Sequence, residues 1–240
     1  MVMKRILTWS PAGTRDSWPY RIGWWIARVL LAFTALSLLF VVLFKWLPVP
    51  VTPTMITDPN GFSKDWTPLS RVDRTMVAAV IAGEDGKFCT HHGFDVNAIE
   101  RAWQRNREGG RVRGGSTISQ QTAKNVFLWQ GGGYFRKALE AWFTVLIEHI
   151  WGKRRIMEVY LNVAETGIGT YGVEAGAQRY YGHSAAHLST VEAARIAAAL
   201  PSPKKRDVVG ATGFTRRHGN AIAKRSSVVH NSDYDSCVYE

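Results

Sequence analysis

Three kinds of apolar patterning divide the chain. The first is a block: Val29 to Phe44 carries no charge, and only Thr34 and Ser37 interrupt its apolar run. Extended from Ile22 to Leu47, it exceeds the ~20 apolar residues that cross a bilayer as a helix. Arg28 and Lys45 sit near its ends, with Trp24, Trp25 and Trp46 where interfacial aromatics belong. The block lacks the amphipathic period of a core helix, so one transmembrane helix is predicted over 22–47. Pro48, Pro50, Pro53 and Pro59 follow, and they predict an extended linker over 48–66. No small-x-small cleavage signal lies behind the block, which therefore reads as an uncleaved anchor.

The second kind is helical periodicity, from about Pro68 to Pro203. Met76, Val77, Val80 and Ile81 predict a helix that delivers Glu84 and Asp85 at its C-terminal end. Leu139, Trp142, Phe143, Leu146, Ile147 and Ile150 mark one face of a helix from Tyr134 to about Trp151. Glu140 falls on the margin of that stripe, where a carboxylate by default is solvated. Ile156, Val159, Tyr160 and Val163 point inward from the next helix, and Gly167, Gly169 and Gly172 predict a tight loop. Val173–Tyr181 is predicted helical with Gly182 as its stop. Ser189 with Glu192 forms a capping box opening an alanine-rich helix that Pro201 and Pro203 end. No β-sheet is expected, so the fold class is mainly α.

The third kind is the absence of strong periodicity after Pro203, where 204–240 reads as a basic, loosely packed tail. The organisation is then an N-terminal segment 1–21, an anchor 22–47, a linker 48–66, a helical domain 67–203 and the tail.

Charge refines this picture. The apolar share of 46% excludes overall disorder, and a net charge of +11 calls for an anionic partner without choosing among nucleic acid, lipid headgroups and phosphorylated substrates. Ahead of the anchor, Lys4, Arg5, Arg15, Arg21 and Arg28 oppose Asp16 alone. The positive-inside rule puts that end in the cytoplasm and the domain outside, where ATP and genomic DNA are not ordinary substrates. Residues 101–113 hold five arginines, one glutamate and the Gly109-Gly110 pair, which predicts a mobile basic segment. The two cysteines, Cys89 and Cys237, can pair or stay free in an exported chain; the reading favours free thiols. Cys89, His91 and His92 lack a fourth ligand at metal-site spacing, so no metal site is expected.

Candidate chemistry gathers in two clusters, Glu84-Asp85 and the run Ser116 to Gln121 behind Gly114-Gly115. The first offers a carboxylate to move a proton. In the second, Thr117 and Gln120 have the form of a capping box, and the helix they open can be either an ordinary cap or an anion site.

Four ordered segments carry a resemblance: Glu84 to Asp95, Gly114 to Asn125, Arg136 to Glu140 and Ile156 to Asn162. Together they resemble the successive motifs of the peptidoglycan glycosyltransferases (glycosyltransferase family 51), which include the N-terminal domains of class A penicillin-binding proteins. No transpeptidase segment follows, so the similarity is to monofunctional members. Ser119 stands where the family usually has threonine and Ala138 where glycine is common, and neither change removes chemistry.

The resemblance implies a lysozyme-like helical domain that polymerises lipid II beside the membrane, with inversion at the donor anomeric carbon and release of polyprenyl pyrophosphate. Glu84 matches the general base and Glu140 the second glutamate, thought to support the departing pyrophosphate. Asp85, Ser116, Thr117, Gln120, Gln121, Lys124, Asn125, Arg136 and Lys137 match substrate-binding positions, whereas His91 and Asp95 shape the first motif. No cofactor is required, and a divalent cation screening the pyrophosphate is compatible with the family. Expected partners are lipid II, the nascent glycan, membrane lipids and other cell-wall synthesis or division proteins, with no nucleic acid. The expected location is the inner membrane, with the domain in the periplasm. Two readings compete: a lysozyme-type hydrolase, which also uses two carboxylates, and a non-catalytic membrane-anchored scaffold.

Overall fold

The apolar block forms one helix, α1 (Trp18–Trp46), in a computed structural model that describes residues 18–107 and 115–240. Lys4, Arg5, Arg15 and Asp16, on which much of the charge asymmetry rests, lie outside the described residues, as do the Gly109-Gly110 pair and Gly114. At 29 residues, α1 is long and apolar enough to cross a membrane. The chain divides into two units, residues 1–40 and 41–240. In the first, the Arg28 guanidinium lies 3.6 Å from the Trp24 ring centroid, and Trp24 meets Trp25 edge-on. Such a cation–aromatic group suits an interface, apolar in body and polar at the tip.

The second unit begins with the last residues of α1. Its last carbonyls have no partner inside the helix, and Arg155 donates to Phe44 O and Leu47 O; one turn earlier Trp151 Nε1 adds a bond to Val41 O at 2.6 Å. The expected linker is not wholly extended. It contains α2 (Pro53–Ile56), capped by Thr52, and β1 (Ser63–Lys64). Pro53 stands at a first-turn position, where its missing N–H would have had no partner anyway.

The core is a helical bundle. Asp73 caps α3 (Arg74–Glu84) by accepting from Thr75 N at 2.9 Å, and Met76 to Ala82 are buried without a break. A helix apolar on every side belongs at the centre, and α3 sits against α9 (Thr190–Ala199) and α10 (Gly213–Asn231). α4 (Val96–Arg107) precedes a second group: α5 (Ile118–Phe127), α6 (Gly133–Ile150) and α7 (Gly152–Val163). α8 (Val173–Tyr181) stops at Gly182, which takes the left-handed conformation with φ 72° as expected of a C-terminal glycine. Both capping boxes are present.

Residues 101–107, expected as part of a mobile basic segment, complete α4 instead. Besides this and the linker, three further sequence expectations need correction. The glycine loop is a hairpin of β2 (Glu165–Gly167) and β3 (Thr170–Tyr171), and β3 also pairs in parallel with β1. Strands of two or three residues are too short to show alternation, so the pattern hid them. The segment after Pro203 is not loose: α10 and α11 (Ser236–Tyr239) close the bundle, with Ile222, Ser226 and Val229 buried. Its moderate amphipathicity is masked by Arg216, Arg217, Lys224 and Arg225 on the outer face. Arg74 grips the buried Asp235 through two hydrogen bonds of 2.8 and 2.7 Å, tying this end to the start of α3. Finally, Cys89 and Cys237 are not free thiols. They form a disulfide across 148 residues with Cα atoms 5.5 Å apart, because α10 returns the chain end to the loop after α3.

Candidate active site

The end of α3 and the start of α5 are fastened together by buried polar groups. Asp85, 6% exposed, accepts from His91 Nε2 through both oxygens at 3.0 Å and from Ile118 N at 3.0 Å. Gly93 N donates to His91 Nδ1 at 3.1 Å, so the ring proton sits on Nε2 and points at Asp85. Thr117 Oγ1 donates to Gly93 O at 2.6 Å. Gly93 has φ +91°, and a Cβ there would stand 2.8 Å from Thr144 Cγ2, so only glycine makes this turn. His91 therefore shapes the first cluster, and Asp95 caps α4 by accepting from Ala98 N.

These bonds decide between the two readings of the helix start. Ile118 N is met by Asp85 and Gln120 N by Thr117, while Gln120 Oε1 accepts from Thr117 N. The opening of α5 is an ordinary cap. Asp85, Thr117 and Gln120, expected to touch substrate, are buried, and the Asp85 oxygens, the Thr117 hydroxyl and Gln120 Oε1 are engaged in this joint.

What the joint presents is Glu84. The carboxylate is half-buried, and its Oε2 accepts from Gln121 Nε2 at 2.9 Å. Gln121 Oε1 in turn accepts from the Tyr160 hydroxyl at 3.3 Å, which fixes the amide's orientation. Glu84 Oε1 is buried with no hydrogen-bond partner among the described residues. Burial raises the Glu84 carboxyl above the ordinary 4.5; the Gln121 bond and the Arg206 charge oppose this, Asp85 adds to it, and Lys124 opposes it. Tyr160 is also raised, by burial first and then by Glu84 and Asp85. In the sequence Tyr160 is an inward residue of the fourth motif with no role of its own, and Arg206 carries no signal because it lies in the segment read as a tail.

A second cluster is built on α6. Glu140 is not solvated: at 3% exposed it is among the most buried charges of the chain. The inward arc is Glu140, Phe143, Thr144 and Ile147, whereas Trp142 and Val145 face outward. Large outward residues had shifted the apparent stripe. Arg136 donates to Glu140 Oε2 at 2.6 Å, and Lys137 pairs with Oε1 while also donating to Ser116 Oγ at 3.2 Å. Lys124, on α5, feels both carboxylates; burial pushes its ammonium down, Glu140 opposes that, and Arg136 and Lys137 reinforce it. Three cations thus share one buried carboxylate, leaving positive charge for an anion.

A cleft of about 520 Å³ opens beside these groups, within the roughly 300–1,000 Å³ typical of small-ligand sites. Gln121, Lys124, Asn125 and Tyr160 form one wall. Glu84 does not itself line this space; it is linked to it through Gln121, and Lys124 is the member of the cation cluster on the lining. The chemistry available is therefore a raised carboxylate with a free oxygen, joined through Gln121 to an open space with a cation in its wall.

Comparison with known proteins agrees in kind. The transglycosylase family profile matches residues 53–230. The chain is 47% identical to the biosynthetic peptidoglycan transglycosylase of Caulobacter vibrioides over 216 residues, 89% of this chain and 94% of that protein. It is 43% identical to the protein of the same name from Rhodospirillum centenum over 219 residues, 90% of this chain and 95% of the relative. A third, from Bdellovibrio bacteriovorus, is 48% identical over 190 residues, 75% of this chain and 76% of its own length. The match begins within the supposed linker and runs into α10, beyond the span that the motifs alone suggested.

Proposed function

Because the chain belongs to the transglycosylase family and is a peptidoglycan glycosyltransferase acting on lipid II, we propose that Glu84 is its general base and that the Lys124–Arg136–Lys137 group receives the departing pyrophosphate. The observation that carries this reading is the free, buried oxygen of Glu84 beside a cation cluster. A sugar hydroxyl is a poor nucleophile, and a positioned base contributes about 10² to 10⁴ in rate. Glu84 Oε1 takes the proton from the acceptor's 4-hydroxyl while Gln121 holds Oε2 in place. The freed oxygen attacks the donor anomeric carbon from the face opposite the leaving group, so the linkage inverts from α to β. The bond to the polyprenyl pyrophosphate breaks, and its new charge meets Lys137, Arg136 and Lys124. Glu140 acts through those cations: with both oxygens held by Arg136 and Lys137, it is a positioning residue. No cofactor is needed in this reading, since side chains supply the positive charge.

We further place the domain on the periplasmic side of the inner membrane. The basic residues ahead of α1 support that orientation, and the disulfide suits an oxidising compartment. An anchor in the same chain tethers the domain to the membrane that holds a lipid-tailed substrate and so raises its effective concentration.

The test is incubation of the full-length protein in detergent with lipid II and, separately, with finished sacculi. Lengthening glycan chains are the expected result. Cleaved sacculi with no lengthening would instead establish a hydrolase.

The pH profile gives a finer check. The base must be ionised, so kcat/KM should fall on the acid side through a pKa above 4.5, in the direction burial moves Glu84. Gln121→Leu removes a hydrogen bond that favours the charged form, so it should carry that acid limb to higher pH. A limb unmoved by this change would remove Gln121 from the account.

A further inference from the structure

Glu84 is the last residue of α3, and the helix closes with Asp85 N donating to Ile81 O at 3.1 Å. The carboxylate has one hydrogen bond, from Gln121, and its other oxygen has none among the described residues. Helix ends open more readily than helix centres. The direction of Glu84 therefore depends on what holds residues 86–93, the loop that leaves the helix.

That loop is held from two sides. On one side Phe88 is fully buried, with the Lys153 ammonium 4.6 Å from its ring centroid and the His91 ring edge-on to it. His91 in turn holds Asp85, and Gly93 O accepts from Thr117. On the other side stands the disulfide from Cys89 to Cys237 in α11. Among the described residues no hydrogen bond or ion pair joins 86–93 to α10 or α11, so this bond is the loop's one such link to the end of the chain.

α11 has other fastenings. Asp235 and Val238 are fully buried; Arg74 grips Asp235, and Arg154 Nη1 donates to Val238 O at 3.0 Å. The Arg74 guanidinium also lies 4.9 Å from the Tyr239 ring centroid. Opening the disulfide leaves these in place and removes one of the two holds on the loop. Cys89 and Cys237 are only half-buried, which leaves the bond within reach of a small thiol.

We propose that the Cys89–Cys237 bond is a redox switch on the base: closed, it holds the loop that sets Glu84 in its working position; open, it leaves a folded but slow enzyme. The inference rests on the reading of Glu84 as general base. The chemistry is thiol–disulfide exchange. A dithiol attacks one sulfur, passes through a mixed disulfide and leaves as a cyclic disulfide, while Cys89 and Cys237 each take up one electron and one proton. A small-molecule or protein disulfide runs the exchange in reverse. A chain whose bond closes only in an oxidising compartment polymerises there and not before.

The experiment compares the full-length protein in detergent, oxidised and after dithiothreitol, in lipid II polymerisation in the cold, well below its melting transition. The chain has two cysteines, both in this bond, so the reductant has one target. Reduction should lower kcat/KM about tenfold or more, toward the ~10² that a ~1 Å misplacement costs. Oxidised glutathione should restore it, and circular dichroism should show the helices retained throughout. Cys237→Ser should be slow and indifferent to either reagent. The residual activity of the reduced enzyme should have its acid limb at lower pH, because a loosened loop lets water reach Glu84 and relieves the burial that raises it. Arg154→Met, which loosens α11 with the bond intact, should lower the melting temperature and leave kcat/KM in the cold unchanged. Equal activity in both redox states, loss of helix on reduction, an unmoved acid limb, or an Arg154→Met enzyme as slow as the reduced one overturns the switch. A polymerase indifferent to dithiothreitol whose Glu84→Gln variant is inactive defeats the switch and spares the base. Full activity of Glu84→Gln in the oxidised protein defeats the base reading and the switch with it.

Discussion

Replacing Glu84 by glutamine is expected to lower lipid II polymerisation by about 10² to 10⁴ while leaving the fold and its stability at neutral pH intact. The first half follows from chemistry. Glutamine keeps the shape and can still meet Gln121, but it cannot take a proton from the acceptor hydroxyl. The second half follows from the direction of the Glu84 shift. Burial raises this carboxyl, so the folded state binds its proton more tightly than the unfolded state does. The group therefore favours folding most at pH values below the ordinary 4.5, and that contribution is lost as pH rises through the folded value. At neutral pH the ionised Glu84 is a liability, and a neutral amide removes it. Thermal melting at pH 7 should show Glu84→Gln at least as stable as wild type, with the gap closing as the buffer is acidified. Full polymerisation by the variant would end the base assignment. A large drop in melting temperature at pH 7 would mean that Glu84 is held by partners the geometry does not contain.

This opposition between stability and activity also explains what could be read in the sequence. Helices with strong periods were legible: α3, α7, α8 and α9 fall where apolar spacing and capping residues put them. So was the proximity of Glu84 and Gln121, through the order of the motifs. What the pattern could not carry was the direction in which polar side chains point. Asp85, Thr117 and Gln120 have the residue types of a ligand site, yet Asp85 and Thr117 fasten α3 and the loop after it to α5, and Gln120 closes the cap. Glu140 looked like a surface charge because the outward-facing Trp142 was counted in the apolar stripe, and both its oxygens are held by Arg136 and Lys137. Other residues lining the cleft were invisible for another reason. Thr54, Glu165 and Lys204 come from three separate regions, one read as linker, one as loop and one as tail. Only the pairing of β1 with β3 and the return of the chain after α9 bring them together.

The disulfide carries the second large effect. Cys237→Ser should lower the stability of the domain by about 3–5 kcal/mol, since an unbroken link across 148 residues removes much of the freedom of the unfolded chain. For a unit of this size that corresponds to a fall in melting temperature of roughly 10 °C. The loss should not be spread evenly. Cys89 lies in the loop after α3, five positions past Glu84, and Cys237 lies in α11, so the bond pins the chain end to that loop. Arg74 and the buried Asp235 make a second fastening between the same parts, and it survives the substitution. Hydrogen exchange should therefore report α11 and residues 86–93 opening well before α5 and α7, with α10 intermediate. Reduction of the wild type by dithiothreitol should reproduce the variant's melting curve. A Cys237→Ser protein as stable as wild type would mean that the end of the chain is held by its helix packing alone, and that the bond follows the fold without supporting it.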